Sequence, residues 1–134
     1  MGDLPFVLLV EDEAANRSLA SRILEACSLT HETAADGHEA IACVANRVPD
    51  VILMDLSMPG MDGWEATRRI RANPDWSGIR IVALTAHAMR GDRERAMDAG
   101  CDDMLTKPYR PGELIDVIRR NLSEEAASTV PHLS

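Results

Sequence analysis

Five short runs of β-prone residues, each followed by a stretch whose apolar positions recur at helical spacing, divide this chain between residues 6 and 122. That alternation is the pattern of βαβ units, in which parallel strands are joined by crossover helices that cover the sheet. The spacing predicts strands at 6–10, 32–35, 51–54, 81–84 and 103–106. Two of these, Phe6-Val7-Leu8-Leu9-Val10 and Val51-Ile52-Leu53-Met54, are apolar throughout, as expected of central strands covered on both faces. With 134 residues there is room for one domain core, and with 46% apolar but only 3% aromatic residues that core must be aliphatic.

The first helix is marked by Leu19, Ala20, Ile23, Leu24 and Cys27, and the second by Ile41, Val44, Ala45 and Val48, with Pro49-Asp50 ending it. A third is expected at 64–71 after the Asp62-Gly63 turn signal. The fourth, at 91–99, is the least apolar, with Met89, Ala96 and Met97 on its inner side and Gly100 as its C-terminal cap. Pro111 should open the fifth, which turns Leu114, Ile115, Ile118 and Leu122 inward. Residues 4–122 thus read as one domain, and 123–134, small and polar, as a frayed tail.

Several function classes lose ground on composition. A net charge of −8, from 22 acidic and 14 basic residues, disfavours contact with a nucleic-acid backbone. No apolar run is long enough to cross a bilayer, and the first residues lack a signal-peptide pattern, so a cytoplasmic location is expected. Cys27, Cys43 and Cys101 have neither redox nor zinc spacing, and the four histidines form no ligand motif.

Ligands of open parallel α/β sheets bind outside the carboxyl ends of the strands. There the first strand delivers Glu11 and Asp12, the third Asp55, the fourth Thr85 and Ala86, and the fifth Lys107 and Pro108. A single Asp after a strand is usually a helix cap. Three carboxylates gathered with one ammonium are different, because their repulsion raises their pKa values or demands a cation. A hard divalent ion such as magnesium suits oxygen ligands and leaves room for a phosphate.

The ordered strings Leu8-Leu9-Val10-Glu11-Asp12, Asp55-Leu56-Ser57-Met58-Pro59-Gly60-Met61-Asp62-Gly63, Leu84-Thr85-Ala86 and Lys107-Pro108 resemble those of receiver domains of two-component response regulators, over nearly the whole chain. The resemblance implies a flavodoxin-like α/β fold: one doubly wound, five-stranded parallel sheet of order 2-1-3-4-5 with five helices. It implies a signalling switch rather than an enzyme with external turnover, Asp55 being phosphorylated by a histidine kinase or histidine phosphotransfer protein. Asp12 would ligate Mg2+, or Mn2+ as an alternative, together with Asp55 and the Ser57 carbonyl, with Glu11 acting through water. Lys107, Thr85 and the Ala86 amide would hold the phosphate, and the Lys107–Pro108 bond would be cis.

Met104 stands where relatives commonly carry an aromatic switch residue, so it is either an adaptable filler or a modified switch. Ser57 and His87 occupy two positions that tune phosphoryl lifetime in relatives. An output face of Arg90, Arg93, Met104, Tyr109 and Arg110 contacting a downstream protein is also expected. A haloacid-dehalogenase-type enzyme would need a second Asp where Ser57 stands, and a flavin carrier would need a less acidic loop after the first strand. The initial Met1 and the tail favour a stand-alone regulator over a segment of a hybrid histidine kinase.

Overall fold

The structure, a computed structural model, describes residues 4–58, 60–86 and 91–131. Pro59, His87, Met89 and Arg90 lie outside the described residues. The five strands are β1 (Phe6–Val10), β2 (Thr30–Ala34), β3 (Val51–Asp55), β4 (Arg80–Thr85) and β5 (Asp103–Thr106). They form one sheet of order β2-β1-β3-β4-β5, and every pairing is parallel. The connections are helices α1 (Ala14–Ala26), α2 (Gly37–Asn46), α3 (Gly63–Arg71) and α4 (Asp92–Ala99), with a 3-10 turn at Pro74–Trp76; α5 (Pro111–Arg120) and α6 (Glu124–Ala127) follow β5.

Alternate strand residues point to opposite faces, and two cores result. Leu8, Val10, Ile52, Met54, Ile81 and Ala83 meet α2, α3 and α4 on one side. Val7, Leu9, Val51, Leu53, Val82 and Leu84 meet α1 and α5 on the other. The apolar runs of β1 and β3 are buried along their whole length because both faces are covered. Register then sets the site: Val10 is level with Met54, and Asp55 with Leu84, so Glu11, Asp55 and Thr85 emerge at neighbouring heights on the carboxyl edge.

The second strand begins at Thr30 rather than at 32, since an edge strand half open to water need not be apolar to pair with Phe6. Leu19, expected in the core, is 59% exposed. Ala20, Ile23, Leu24 and Cys27 already centre the inner stripe, which leaves Leu19 roughly a quarter-turn from it. Val48 is 53% exposed because α2 ends at Asn46, and helical spacing does not carry past the extended cap at Arg47. Ala45 also faces solvent. Gly100 caps α4 in the left-handed region at φ 114°, as expected.

The tail departs from the frayed expectation over its described part. Ser123 caps α6 through its hydroxyl, and Val130 is buried against the α1–α5 side. Arg119 donates to the Val130 carbonyl and holds the segment to α5.

The C-terminus of α5 is tied to β5 through Asp103. Its carboxylate accepts from Arg120 Nε at 2.7 Å and Asn121 Nδ2 at 3.0 Å. Burial alone would raise its pKa, but these bonds and the Met104 amide win and hold it at about 2. A depressed carboxyl pKa stabilises the fold fully above the ordinary value of about 3.9, and that contribution is lost as pH falls through about 2. Asp103→Asn is therefore expected to lower stability by about 1–2 kcal/mol near neutrality. In urea titrations, the gap between wild type and variant should close between pH 5 and pH 2, and a gap independent of pH would contradict the ionic role.

Candidate functional site

Glu11 and Asp12 follow β1 directly, and Asp55 is the last residue of β3. Oxygen atoms of these three carboxylates lie within 4.8 Å of one another. Glu11 and Asp55 are buried, whereas Asp12 is exposed. Lys107, next after β5, reaches in from the far side with Nζ 2.7 Å from Glu11 Oε2 and 3.5 Å from Asp55 Oδ2. The peptide bond from Lys107 to Pro108 is cis, and the Lys107 amide donates to the Thr85 carbonyl at 2.7 Å. Thr85 is buried at the end of β4, and Ala86 follows on an exposed bend. The Ser57 amide donates to Asp55 Oδ1 at 3.0 Å, so the chain after β3 folds back over the carboxylate. Among the described residues, Glu11, Asp12, Asp55, Ser57, Thr85, Ala86 and Lys107 thus lie together on this one edge.

The electrostatics are those of a cation site. Burial, and after it the nearby Glu11 charge, pushes the Asp55 carboxyl above its ordinary value even though the Ser57 amide pulls the other way. Burial would depress Lys107, but Glu11 and Asp55 outweigh it and raise its pKa. One lysine therefore serves two buried carboxylates, and a third carboxylate at Asp12 faces outward beside them. An all-oxygen donor set with surplus negative charge and one open side fits a hard divalent cation that keeps several waters.

Two contributors act through backbone atoms, in roles that no motif displays. Arg17 on α1 donates from Nη1 to the carbonyls of Glu11 at 2.9 Å and Asp12 at 3.3 Å. Gly63, the first residue of α3, lets that helix start directly against β3, since a Cβ there would lie 2.1 Å from the Asp55 carbonyl oxygen. Asp62 caps α3 through the Glu65 amide, and buried Met58 and Met61 anchor the intervening loop in the core.

On the expected output side, Met104 is half-buried and packs against the α2–α4 core, Tyr109 is half-buried, and Arg93 and Arg110 are exposed. A groove of about 250 Å³, lined by Asn16, Leu19, Ala86, Lys107, Pro108 and Tyr109, opens beside the site.

Fold and site together define a signalling domain of the doubly wound α/β type, with its acidic pocket at the carboxyl edge. The chain belongs to the response regulator receiver domain family, whose model matches residues 7–119. The sensor protein GacS of Pseudomonas syringae pv. syringae is 40% identical over 117 residues, which cover 85% of this chain and 13% of GacS. The chain thus spans only a small part of the length of such curated relatives. Among solved structures, chemotaxis protein CheY4 of Vibrio cholerae aligns with a TM-score of 0.85 at 31% identity, over 90% of this chain and 100% of that one. The receiver domain of the sensor histidine kinase PA1611 from Pseudomonas aeruginosa PAO1 aligns with a TM-score of 0.81 at 37% identity, over 88% of this chain and 97% of that one. That structure has a magnesium ion coordinated in its active site cleft.

Receiver domains are phosphorylation-dependent switches of two-component signalling and take their phosphoryl groups from histidine kinases, and this chain is such a domain. Among the described residues, no helix is long and apolar enough to cross a membrane.

Proposed function

We propose that Asp55 is the phosphoacceptor of this switch. The observation that carries the reading is a buried carboxylate at a strand end, flanked by two further carboxylates and met by one lysine. An Asp55 oxygen attacks the phosphorus of the donor, the bond from phosphorus to the donor's leaving group breaks, and an aspartyl phosphate results. Asp12, Asp55 and the Ser57 carbonyl would hold Mg2+, or Mn2+ in its place, with Glu11 acting through water. Bound there, the ion would offset the negative charge that the carboxylates and an incoming phosphoryl group bring to the site. Lys107 is held ready by Glu11 and pairs with the phosphate once it forms, while the Thr85 hydroxyl and the Ala86 amide donate to its remaining oxygens.

The donor is a phosphohistidine of a histidine kinase or of a histidine phosphotransfer protein, and the apolar groove along Leu19, Pro108 and Tyr109 gives it a surface beside Asp55. Output passes to a downstream protein in the cytoplasm, without direct contact to nucleic acid or membrane and without turnover of an external substrate. Residues 4–122 form the working unit, and 123–134 are an appendage to it.

Incubation with a small phosphodonor and Mg2+ is expected to add one phosphoryl group that is labile to base, and chelation of the metal should prevent it. Intact-mass spectrometry reads both results. Incorporation that survives base, or that proceeds unchanged in chelator, would mean another residue or another chemistry is responsible.

A further inference from the structure

Arg17 is a cation placed where helix electrostatics disfavour one. It is the fourth residue of α1, near the positive end of the helix dipole, where acidic side chains are normally favoured. The first turn of α1 contains no acidic residue, and its N-cap, Glu13, makes no side-chain cap bond. The turn between β1 and α1 therefore lacks the usual device that fixes such a junction. Arg17 supplies another, since one guanidinium nitrogen donates to two successive carbonyls, those of Glu11 and Asp12.

The two residues it grips are unequally secured. Glu11 is also fixed by its amide, which donates to Ala34 O at 3.0 Å, and by its carboxylate bond from Lys107. Asp12 is exposed; Arg17 holds its carbonyl, while the N–H of the same peptide, that of Glu13, makes only a long 3.4 Å bond to Glu11 Oε1. Releasing Arg17 would free the Asp12 backbone to turn, and its carboxylate would no longer be pre-aimed at Asp55.

We propose that Arg17 is a positioning residue for the cation site: it acts through the Glu11 and Asp12 carbonyls to aim the Asp12 carboxylate. The inference rests on the reading of Glu11, Asp12 and Asp55 as a magnesium site. Groups that orient metal ligands from behind typically contribute 10–100-fold in affinity. The sign of the effect separates this role from simple charge. As a free positive charge near the carboxylates, Arg17 would repel a divalent ion, and its removal would tighten binding. As a positioning group, its removal weakens binding.

The experiment is Mg2+ titration by calorimetry of the full chain, for wild type, Arg17→Ala, Arg17→Lys and Asp12→Ala, with urea unfolding of each in metal-free buffer. Arg17→Ala is expected to raise the Mg2+ dissociation constant by about 10-fold or more. Arg17→Lys, which keeps the charge but not the planar fork, should fall between it and wild type. The metal-free unfolding midpoint should move little in either variant. Binding by Arg17→Ala that equals or exceeds that of wild type overturns the positioning role. So does weakening that scales with loss of metal-free stability. A wild type that binds no Mg2+, or an Asp12→Ala variant that binds it as wild type does, would instead overturn the magnesium site itself.

Discussion

Asp55→Asn is expected to take up no phosphoryl group under conditions in which the wild-type chain is fully labelled, while keeping its fold. The amide is a far weaker nucleophile than a carboxylate and cannot form the acyl phosphate, so the chemistry stops rather than slows. The side chain is otherwise well replaced: an amide oxygen can still accept the Ser57 N–H that now reaches Asp55 Oδ1. Electrostatics even favour the variant. The buried Asp55 carboxylate sits beside Glu11, and burial and that charge both disfavour its ionised form. Removing the charge leaves Lys107 with its shorter partner, Glu11 at 2.7 Å. In metal-free buffer the urea midpoint of Asp55→Asn should therefore equal or exceed that of wild type, so a lost signal cannot be ascribed to unfolding. Labelling of the variant at the wild-type rate would remove Asp55 from the assignment, and a lowered midpoint would show that its charge is better compensated than these distances indicate.

What the sequence revealed and what it hid divide along a physical line. The strand ends that carry Glu11, Asp12, Asp55, Thr85 and Lys107 are legible because each follows a short β-prone run, apolar throughout in β1 and β3, and a parallel sheet gathers such ends on one edge. The edge strand β2 was placed two residues late because Thr30 and His31 are held by backbone pairing with β1, which polar side chains on an open face do not advertise. Leu19 and Val48 were assigned inward on spacing alone, and spacing does not say where a stripe is centred or where a helix stops. Val130 is hidden for the opposite reason: an isolated valine in a polar stretch has no period, and its burial goes with a hydrogen bond from Arg119 to its carbonyl that the sequence does not show. Arg17 stands in no motif and Gly63 reads only as part of a turn, because the roles of both lie in contacts to backbone atoms. A carbonyl looks the same beside every residue, so a chain of letters does not show which one a guanidinium will find or which one a helix will approach.

Gly63 shows how much such a contact can carry. Its backbone is not in the left-handed region, so conformational freedom is not what demands glycine here. The demand is space: an added Cβ would lie 2.1 Å from the Asp55 carbonyl oxygen and 2.8 Å from Leu56 Cα. Both are backbone atoms, and the strand they belong to is fixed on either side, with the Leu56 amide donating to Leu84 O at 3.0 Å. A flexible side chain could swing away, but a central strand can yield only by moving the sheet or by pushing α3 outward. Gly63→Ala is thus expected to destabilise the fold by about 3 kcal/mol, the upper end of ordinary overpacking. Because the clash is with Asp55 itself, the surviving folded molecules should also hold the acceptor out of place. Displacement of a reacting group by about 1 Å can cost on the order of a hundredfold in rate. Gly78 supplies the control, since a Cβ there meets nothing within 4 Å and its φ is ordinary. Gly78→Ala should leave both the urea midpoint and the phosphodonor rate close to wild type. If Gly63→Ala matches Gly78→Ala in both measurements, α3 can start farther from β3 at no cost, and the close approach is not what seats the acceptor. If Gly63→Ala loses stability but labels normally when assayed well below its unfolding midpoint, the contact supports the fold without setting the position of Asp55.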